Sequence, residues 1–69
     1  MNLYLVTVNY RILGDEGYTN ASLNIKRKSN NDSLAISIIS SLFGSLSNFT
    51  DEDGNPYLVI TSITANKIN

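Results

Sequence analysis

The sequence predicts a small α+β domain of two layers, in which one helix packs on one face of a three-stranded sheet. Three observations predict this fold. Two N-terminal segments alternate with period two, and a C-terminal segment is rich in β-branched residues. The segment between them has apolar residues at helical spacing. The chain of 69 residues has room for a single domain, residues 1–69.

The first strand is predicted over residues 2–13. One face carries Tyr4, Val6, Val8, Tyr10 and Ile12 at every second position. The other face carries Leu3, Leu5, Thr7, Asn9 and Arg11. Because both faces begin with apolar side chains, we expect this strand to lie at the centre of the sheet.

A second strand is predicted over residues 18–28, after a turn at residues 14–17 whose glycines permit positive φ. Ala21, Leu23 and Ile25 are expected to face the core, and the polar side chains between them to face solvent. The two strands form a hairpin, joined by a loop of four to five residues.

A helix is predicted to begin within residues 29–33, where Asn31 or Asp32 can cap the first turn, and to run to about Ser47. Its apolar residues span about 200° of the helix circumference and are expected to form its packed side. These residues are Leu34, Ala35, Ile36, Ile38, Ile39, Leu42, Phe43 and Leu46. The rest of the circumference holds mainly serine.

An acidic loop is expected to follow, because Asp51, Glu52 and Asp53 would oppose the negative end of the helix dipole. A third strand is predicted over residues 57–65. Residues 66–69 are then either a short tail or a continuation of that strand.

The element order ββαβ restricts the topology of the sheet. A crossover helix between the second and third strands makes them parallel, and a right-handed crossover that skips one position leaves the first strand between them. We therefore predict the strand order 2-1-3, with 1-2-3 as the alternative.

This topology brings the acidic residues together. The hairpin turn with Asp15 and Glu16 and the loop with Asp51, Glu52 and Asp53 are expected at the same end of the sheet. Their five carboxylates would imitate phosphate charge and occupy the basic groove of a partner. Two solvated turns are the alternative interpretation.

The only basic cluster, Lys26, Arg27 and Lys28, is predicted at the opposite end. Three cations there could hold a phosphate or an acidic patch of a partner. The net charge of −1 argues against direct nucleic-acid binding, because domains that bind nucleic acid carry broad basic surfaces.

One helix cannot cover both faces of the sheet. The face away from the helix is expected to expose Leu3, Leu5 and Thr7, joined by Val59 or Leu58 according to the register. An open apolar face of this kind is typical of an interface between proteins.

The polar side of the helix is also unusual, because no residue from Ser33 to Thr50 is charged. A helix surface that faces solvent normally carries Lys, Glu and Arg. The small residues Ser37, Ser41 and Gly44 would let another backbone approach closely. The alternative is that serine is simply a tolerated polar residue there.

The composition excludes most catalytic chemistry. The chain has no His and no Cys, so it lacks the commonest general base and every thiolate. The acidic loop does not match a calcium-binding loop, since its sixth and twelfth positions are Pro56 and Ser62. We expect no enzymatic activity, no cofactor and no metal site.

The apolar segments are shorter than the roughly 20 residues of a membrane span, and the N-terminus lacks the pattern of a signal peptide. Together with the absence of Cys, these features predict a protein that is not bound to a membrane and lies in the cytoplasm. For a phage-encoded protein this would be the cytoplasm of the host cell.

In length, composition and absence of catalytic motifs, the chain resembles small accessory proteins of phages and mobile elements, anti-CRISPR proteins among them. The resemblance implies a protein-binding inhibitor that occludes a larger protein or nucleoprotein complex of the host. Its contacts are predicted at the acidic turns, at two exposed tyrosines and on the helix. The residues are Asp15, Glu16, Tyr18, Asp51, Glu52, Asp53, Tyr57, Ser37, Ser41 and Gly44.

Two other functions are compatible with the sequence. The first is a self-assembling homo-oligomeric subunit, which dimerises through the open sheet face or an edge strand. The second is an accessory protein that binds nucleic acid through Lys26, Arg27 and Lys28.

Overall fold

The computed structural model describes all 69 residues and has the predicted order of elements. The elements are β1 (Asn2–Gly14), β2 (Gly17–Ser29), α1 (Asp32–Leu46) and β3 (Leu58–Lys67). The strands form one antiparallel sheet in the order β2-β1-β3, and α1 packs on one of its faces. The predicted two-layer α+β fold with strand order 2-1-3 is confirmed, and the order 1-2-3 is wrong.

The β1–β2 hairpin is longer and more tightly closed than expected. Its register runs without a shift from the pair of Asn2 with Ser29 to the pair of Gly14 with Gly17. Only Asp15 and Glu16 connect the strands, so the expected loop of four to five residues is too long. Neither residue has positive φ, whereas Gly17 has φ 114°. The positive φ at this position lets the chain enter the second strand, and glycine adopts that conformation without strain.

The pairing of β1 with β3 contains one irregularity. Asn9 pairs with Ser62, but Tyr10 pairs with Ile60, so Thr61 has no partner in the ladder. The Thr61 hydroxyl donates to the Asn9 carbonyl oxygen at 3.0 Å. Beyond Lys67, hydrogen bonds between Leu3 and residues 68–69 continue the pairing to the end of the chain. Of residues 66–69, the first two therefore continue the strand, and the last two stay hydrogen-bonded to Leu3 beyond its end.

A side-chain cap fixes the start of α1. The Leu34 N–H donates to Asn31 Oδ1 at 2.8 Å, and Asn31 has an extended backbone with φ −155° and ψ 171°. Asn31, and not Asp32, is therefore the N-cap. At the other end the Ser47 N–H donates to the Phe43 carbonyl oxygen, and the helix stops there.

The core lies between the centre of the sheet and a single row of helix side chains. The buried apolar residues are Tyr4, Val6, Val8, Ala35, Ile39 and Leu58. Three of these belong to β1, which confirms that the first strand is central and that its even-numbered face carries the helix. Phe43 continues the row of Ala35 and Ile39 and lies 6.2 Å from Tyr10 between ring centroids.

The prediction that the whole apolar arc of the helix packs on the sheet is wrong. Ala35 and Ile39 are buried and Ile36 and Phe43 half-buried, but the apolar residues on the next row are exposed. The reason is geometric, since a helix meets a flat neighbour through about 100° of its circumference. In addition, α1 packs mainly against β3, at one side of the sheet.

The molecule is elongated, with extents of 43 × 18 × 13 Å. Its radius of gyration is 13.5 Å, where a compact chain of this length has about 11 Å. The 15 residues of α1 extend for about 22 Å, so the helix covers about half the length of the hairpin. The end of the hairpin near the turn projects beyond the helix, and we call it the hairpin arm; β3 pairs with β1 along it as far as Ile12.

Candidate protein-interaction surfaces

The outer side of α1 carries an unpartnered row of large apolar side chains. Leu34, Ile38, Leu42 and Leu46 follow one another at four-residue spacing, and we call them the outer ridge. They are between 38 and 60 % exposed, and none belongs to the core cluster. Phe49, just beyond the helix, is 64 % exposed. Exposed apolar surfaces of this kind are typical of contacts between proteins, so the outer ridge is a candidate interaction surface.

A row of small residues lies beside the outer ridge. Ser37, Ser41 and Ser45 are exposed and follow the same four-residue spacing, and we call them the serine groove. Gly44 is also exposed, and a Cβ added there would meet nothing within 4 Å. The expectation of an exposed, uncharged surface at Ser37, Ser41 and Gly44 is confirmed. Their role in binding stays a prediction.

The two acidic turns lie at the same end of the sheet, as predicted. The Leu13 N–H donates to the Tyr57 carbonyl oxygen at 2.8 Å, and the Tyr18 hydroxyl donates to the Pro56 carbonyl oxygen at 2.7 Å. These bonds hold the segment before β3 against the hairpin arm that carries Asp15 and Glu16. No three carboxylates converge closely enough to form a metal-binding group.

Asp51 organises the acidic loop with its own side chain. Its Oδ1 accepts hydrogen bonds from the backbone N–H groups of Asp53 and Asn55, at 2.9 and 2.8 Å. The bond from the Asn55 backbone is the main reason that the pKa of Asp51 lies below its ordinary value of 3.8. The carboxylate of Asp51 is therefore used within the loop, and Glu52 and Asp53 are its outward charges.

We expect the loop to loosen in acid because it depends on an ionised Asp51. A carboxyl group with a lowered pKa stabilises the fold above the ordinary value of 3.8, and this contribution is lost as the pH falls through the lowered pKa. An NMR titration should show the Asp51 carboxyl and the Asn55 amide titrating together below pH 3.8. In Asp51→Asn the Asn55 amide should lose this transition, and an Asp51 pKa at or above 3.8 would contradict the loop geometry.

The two tyrosines of the acidic end differ in exposure. Tyr57 is exposed, as expected. Tyr18 is half-buried, its hydroxyl is bonded to Pro56, and the Arg11 guanidinium lies 5.1 Å from its ring centroid. The expectation that Tyr18 is exposed is wrong, because the segment before β3 covers it.

The basic cluster lies at the opposite end of the molecule, as predicted. Lys26 and Lys28 pair with Leu5 and Leu3 and share the open face of the sheet, while Arg27 pairs with Tyr4 on the helix side. Lys67 also pairs with Tyr4, so four of the five Lys and Arg residues lie at this end. All three predicted basic residues are exposed.

The open face of the sheet is more polar than expected. Leu3, Leu5 and Thr7 are half-buried, and Val59, which pairs with Arg11, joins this face. Leu58 is buried on the helix side. Cross-strand hydrogen bonds occupy the middle of the face, from Thr7 to Asn24 at 2.8 Å and from Asn9 to Ser62 at 2.9 Å. These bonds satisfy the polar groups and make the face a weaker candidate for an apolar interface.

Sequence reasoning missed the outer ridge because it assigned those residues to the packed side of the helix. One signal could have identified them. An apolar arc of about 200° is twice the width that one packed face requires. Half of it therefore has to find a partner elsewhere or stay exposed.

No protein-family model, curated protein or solved structure matches this chain. No helix of the structure combines the length and the apolar character that a membrane crossing requires.

Proposed function

We propose that this chain is a small, non-enzymatic protein-binding module that uses the outer surface of α1. The observation that carries the proposal is the outer ridge, four large apolar side chains exposed in a row on a helix whose only charged residue is Asp32 in its first turn. The centres of protein interfaces have this composition, with apolar side chains present and charged ones depleted.

The concave surface of the molecule also favours binding over catalysis. It consists of one open depression with no charged side chain in its lining. The lining residues are Asn9, Tyr10, Asn20, Ala21, Ser22 and Thr61. None of them has a neighbouring group that would activate it as a nucleophile or general base.

More specifically, we propose that the chain is an inhibitor that occludes a larger protein or nucleoprotein complex. Glu52 and Asp53 are exposed near the end of α1, and Tyr57 and Phe49 are exposed beside them. Aromatic anchors next to carboxylates suit a partner with a basic groove. The four cations of the far end do not form a broad basic surface, so we do not propose nucleic-acid binding.

Affinity capture from a lysate of the native host, with identification by mass spectrometry, tests this proposal. We expect a protein partner that is retained by the wild-type chain and lost with Leu42→Lys. Ile12→Lys is the matched control, because Ile12 is also an exposed apolar residue but lies on the hairpin arm. The double variant Glu52→Gln/Asp53→Asn tests the acidic end, and capture that none of the variants changes would refute the assignment of these surfaces.

A further inference from the structure

We infer that the outer ridge binds a second copy of this chain, in an antiparallel pair of α1 helices related by a twofold axis. This inference rests on the protein-binding role proposed for the outer surface of α1. Three properties of that surface favour a second copy over a foreign protein. They are its shape, its lack of charge and the distribution of charge at its two ends.

The outer surface of α1 is complementary to itself in shape. Large side chains of the outer ridge stand beside the serine groove, and both rows follow the same four-residue spacing. Two helices that each carry such a pair of rows can place the ridge of one in the groove of the other, twice. The commonest class of helix packing in globular proteins is built in this way.

A twofold axis brings the residues that lie near it close to their own counterparts, so a charged residue there would meet a like charge. Asp32, in the first turn, is the only charged residue of α1, and the next charged residue along the chain is Asp51. A twofold axis near the middle of α1 therefore brings no like charges together.

The charges at the two ends of α1 select the antiparallel direction. The cations on the helix side of the sheet, Arg27 and Lys67, lie at the end where α1 begins, and α1 is followed by the acidic loop with Glu52 and Asp53. Antiparallel pairing sets the basic end of each copy alongside the acidic loop of the other, whereas parallel pairing sets like charges together. The hairpin arm with Asp15 and Glu16 projects beyond the helix and stays outside the pair.

The exposed surface area of the single chain is also larger than that of a compact monomer of the same mass. The chain exposes 4748 Å², whereas a compact monomer of 7.6 kDa exposes about 4,300 Å². The excess of about 450 Å² is more than half of the roughly 800 Å² that each partner contributes to a standard interface. Only six apolar side chains are buried within the single chain. A second copy could bury more apolar side chains, and it is the one partner that is present wherever this chain is.

Sedimentation equilibrium tests the stoichiometry, over a range of about 1 to 500 μM that covers weak and standard interfaces. We expect a species of twice the 7.6 kDa chain mass at the upper end of this range. Leu42→Lys should weaken the dimer about 100-fold or more, because it buries unpaired charges at the contact. Ile12→Lys should leave the dimer unchanged, and circular dichroism should show that both variants are folded.

Oxidative crosslinking tests the surface itself. The chain has no Cys, so each introduced thiol is unique. We expect Ser41→Cys, in the serine groove near the middle of α1, to form a disulfide-linked dimer with a mild oxidant. Ser40 is also exposed but points about 100° further around the helix, so Ser40→Cys should not crosslink.

Other outcomes overturn the inference. A chain that stays monomeric throughout the concentration range has no second copy on the ridge, and crosslinking of Ser40→Cys instead of Ser41→Cys places the contact elsewhere. A dimer that tightens at high salt contradicts the antiparallel charge pairing. A monomer that still captures a foreign partner through Leu42 refutes this inference alone, and the absence of both interactions refutes the proposed function as well.

Discussion

Ile39→Ala is expected to lower the free energy of unfolding by about 3 kcal/mol, because it removes most of a fully buried side chain and leaves a cavity. Ile39 is 1 % exposed and is one of the three largest fully buried side chains. It packs in the core cluster with Val6, Val8 and Ala35, so the cavity has a wall of rigid sheet on one side.

This loss is large for a domain with so small a core. Folded domains are typically stable by about 5–15 kcal/mol, and chains of this length lie at the low end. Urea unfolding followed by circular dichroism should show a much lower midpoint for Ile39→Ala, with part of the population unfolded in buffer. The experiment is best done at the lowest practical concentration, so that self-association does not add to the measured stability.

Ile12→Ala is the matched control for this experiment. Ile12 lies on the same face of β1 but is 47 % exposed on the hairpin arm. Its truncation should cost less than about 1 kcal/mol, since it removes only partly buried atoms and leaves no closed cavity. Equal losses in the two variants would mean that α1 does not pack on the sheet through Ile39.

The second large effect is expected when glycine is replaced by alanine. The same substitution should lower the free energy of unfolding at position 17 and raise it at position 44. Gly17→Ala should destabilise the domain by about 1–3 kcal/mol, because its φ of 114° strains any residue with a Cβ. Gly44→Ala should instead stabilise it by roughly 0.5–1 kcal/mol. Gly44 lies in a helix, an added Cβ meets nothing within 4 Å, and alanine is the better helix former.

Gly17→Ala and Gly44→Ala are controls for each other, because both variants add the same methyl group at an exposed site. Thermal or urea unfolding of the two variants and the wild type should place them on opposite sides of the wild type. If Gly17→Ala were as stable as the wild type, the turn at Asp15 and Glu16 would not need the positive φ that closes the hairpin.

The sequence predicted those features that depend on local pattern and on the chirality of connections. The alternation of Tyr4, Val6 and Val8 identified the central strand and the face that carries the helix. The order ββαβ with a right-handed crossover predicted the strand order and, from it, the separation of the acidic turns from the basic cluster. Backbone periodicity acts within a few residues, and the handedness of the crossover follows from the right-handed twist of the strands that it connects.

The candidate site was predictable only in part. Its uncharged character could be read from residues 33–50, because it is a property of composition. The width of the apolar arc also indicated that half of it would stay exposed, but not which half, since Leu34 and Ile39 look alike in sequence and differ only in which row of the helix meets the sheet.

The sequence by itself therefore determined the elements, their order and the two charged ends of this protein. Only the tertiary structure decided which half of the helix is core and which is surface, and that Tyr18 is covered and Asp51 held within its loop. The physical reason is that periodicity identifies apolar rows, whereas burial depends on how much neighbouring surface is available. Here a single helix lies toward one side of a three-stranded sheet, so the sheet covers one apolar row and leaves the next exposed.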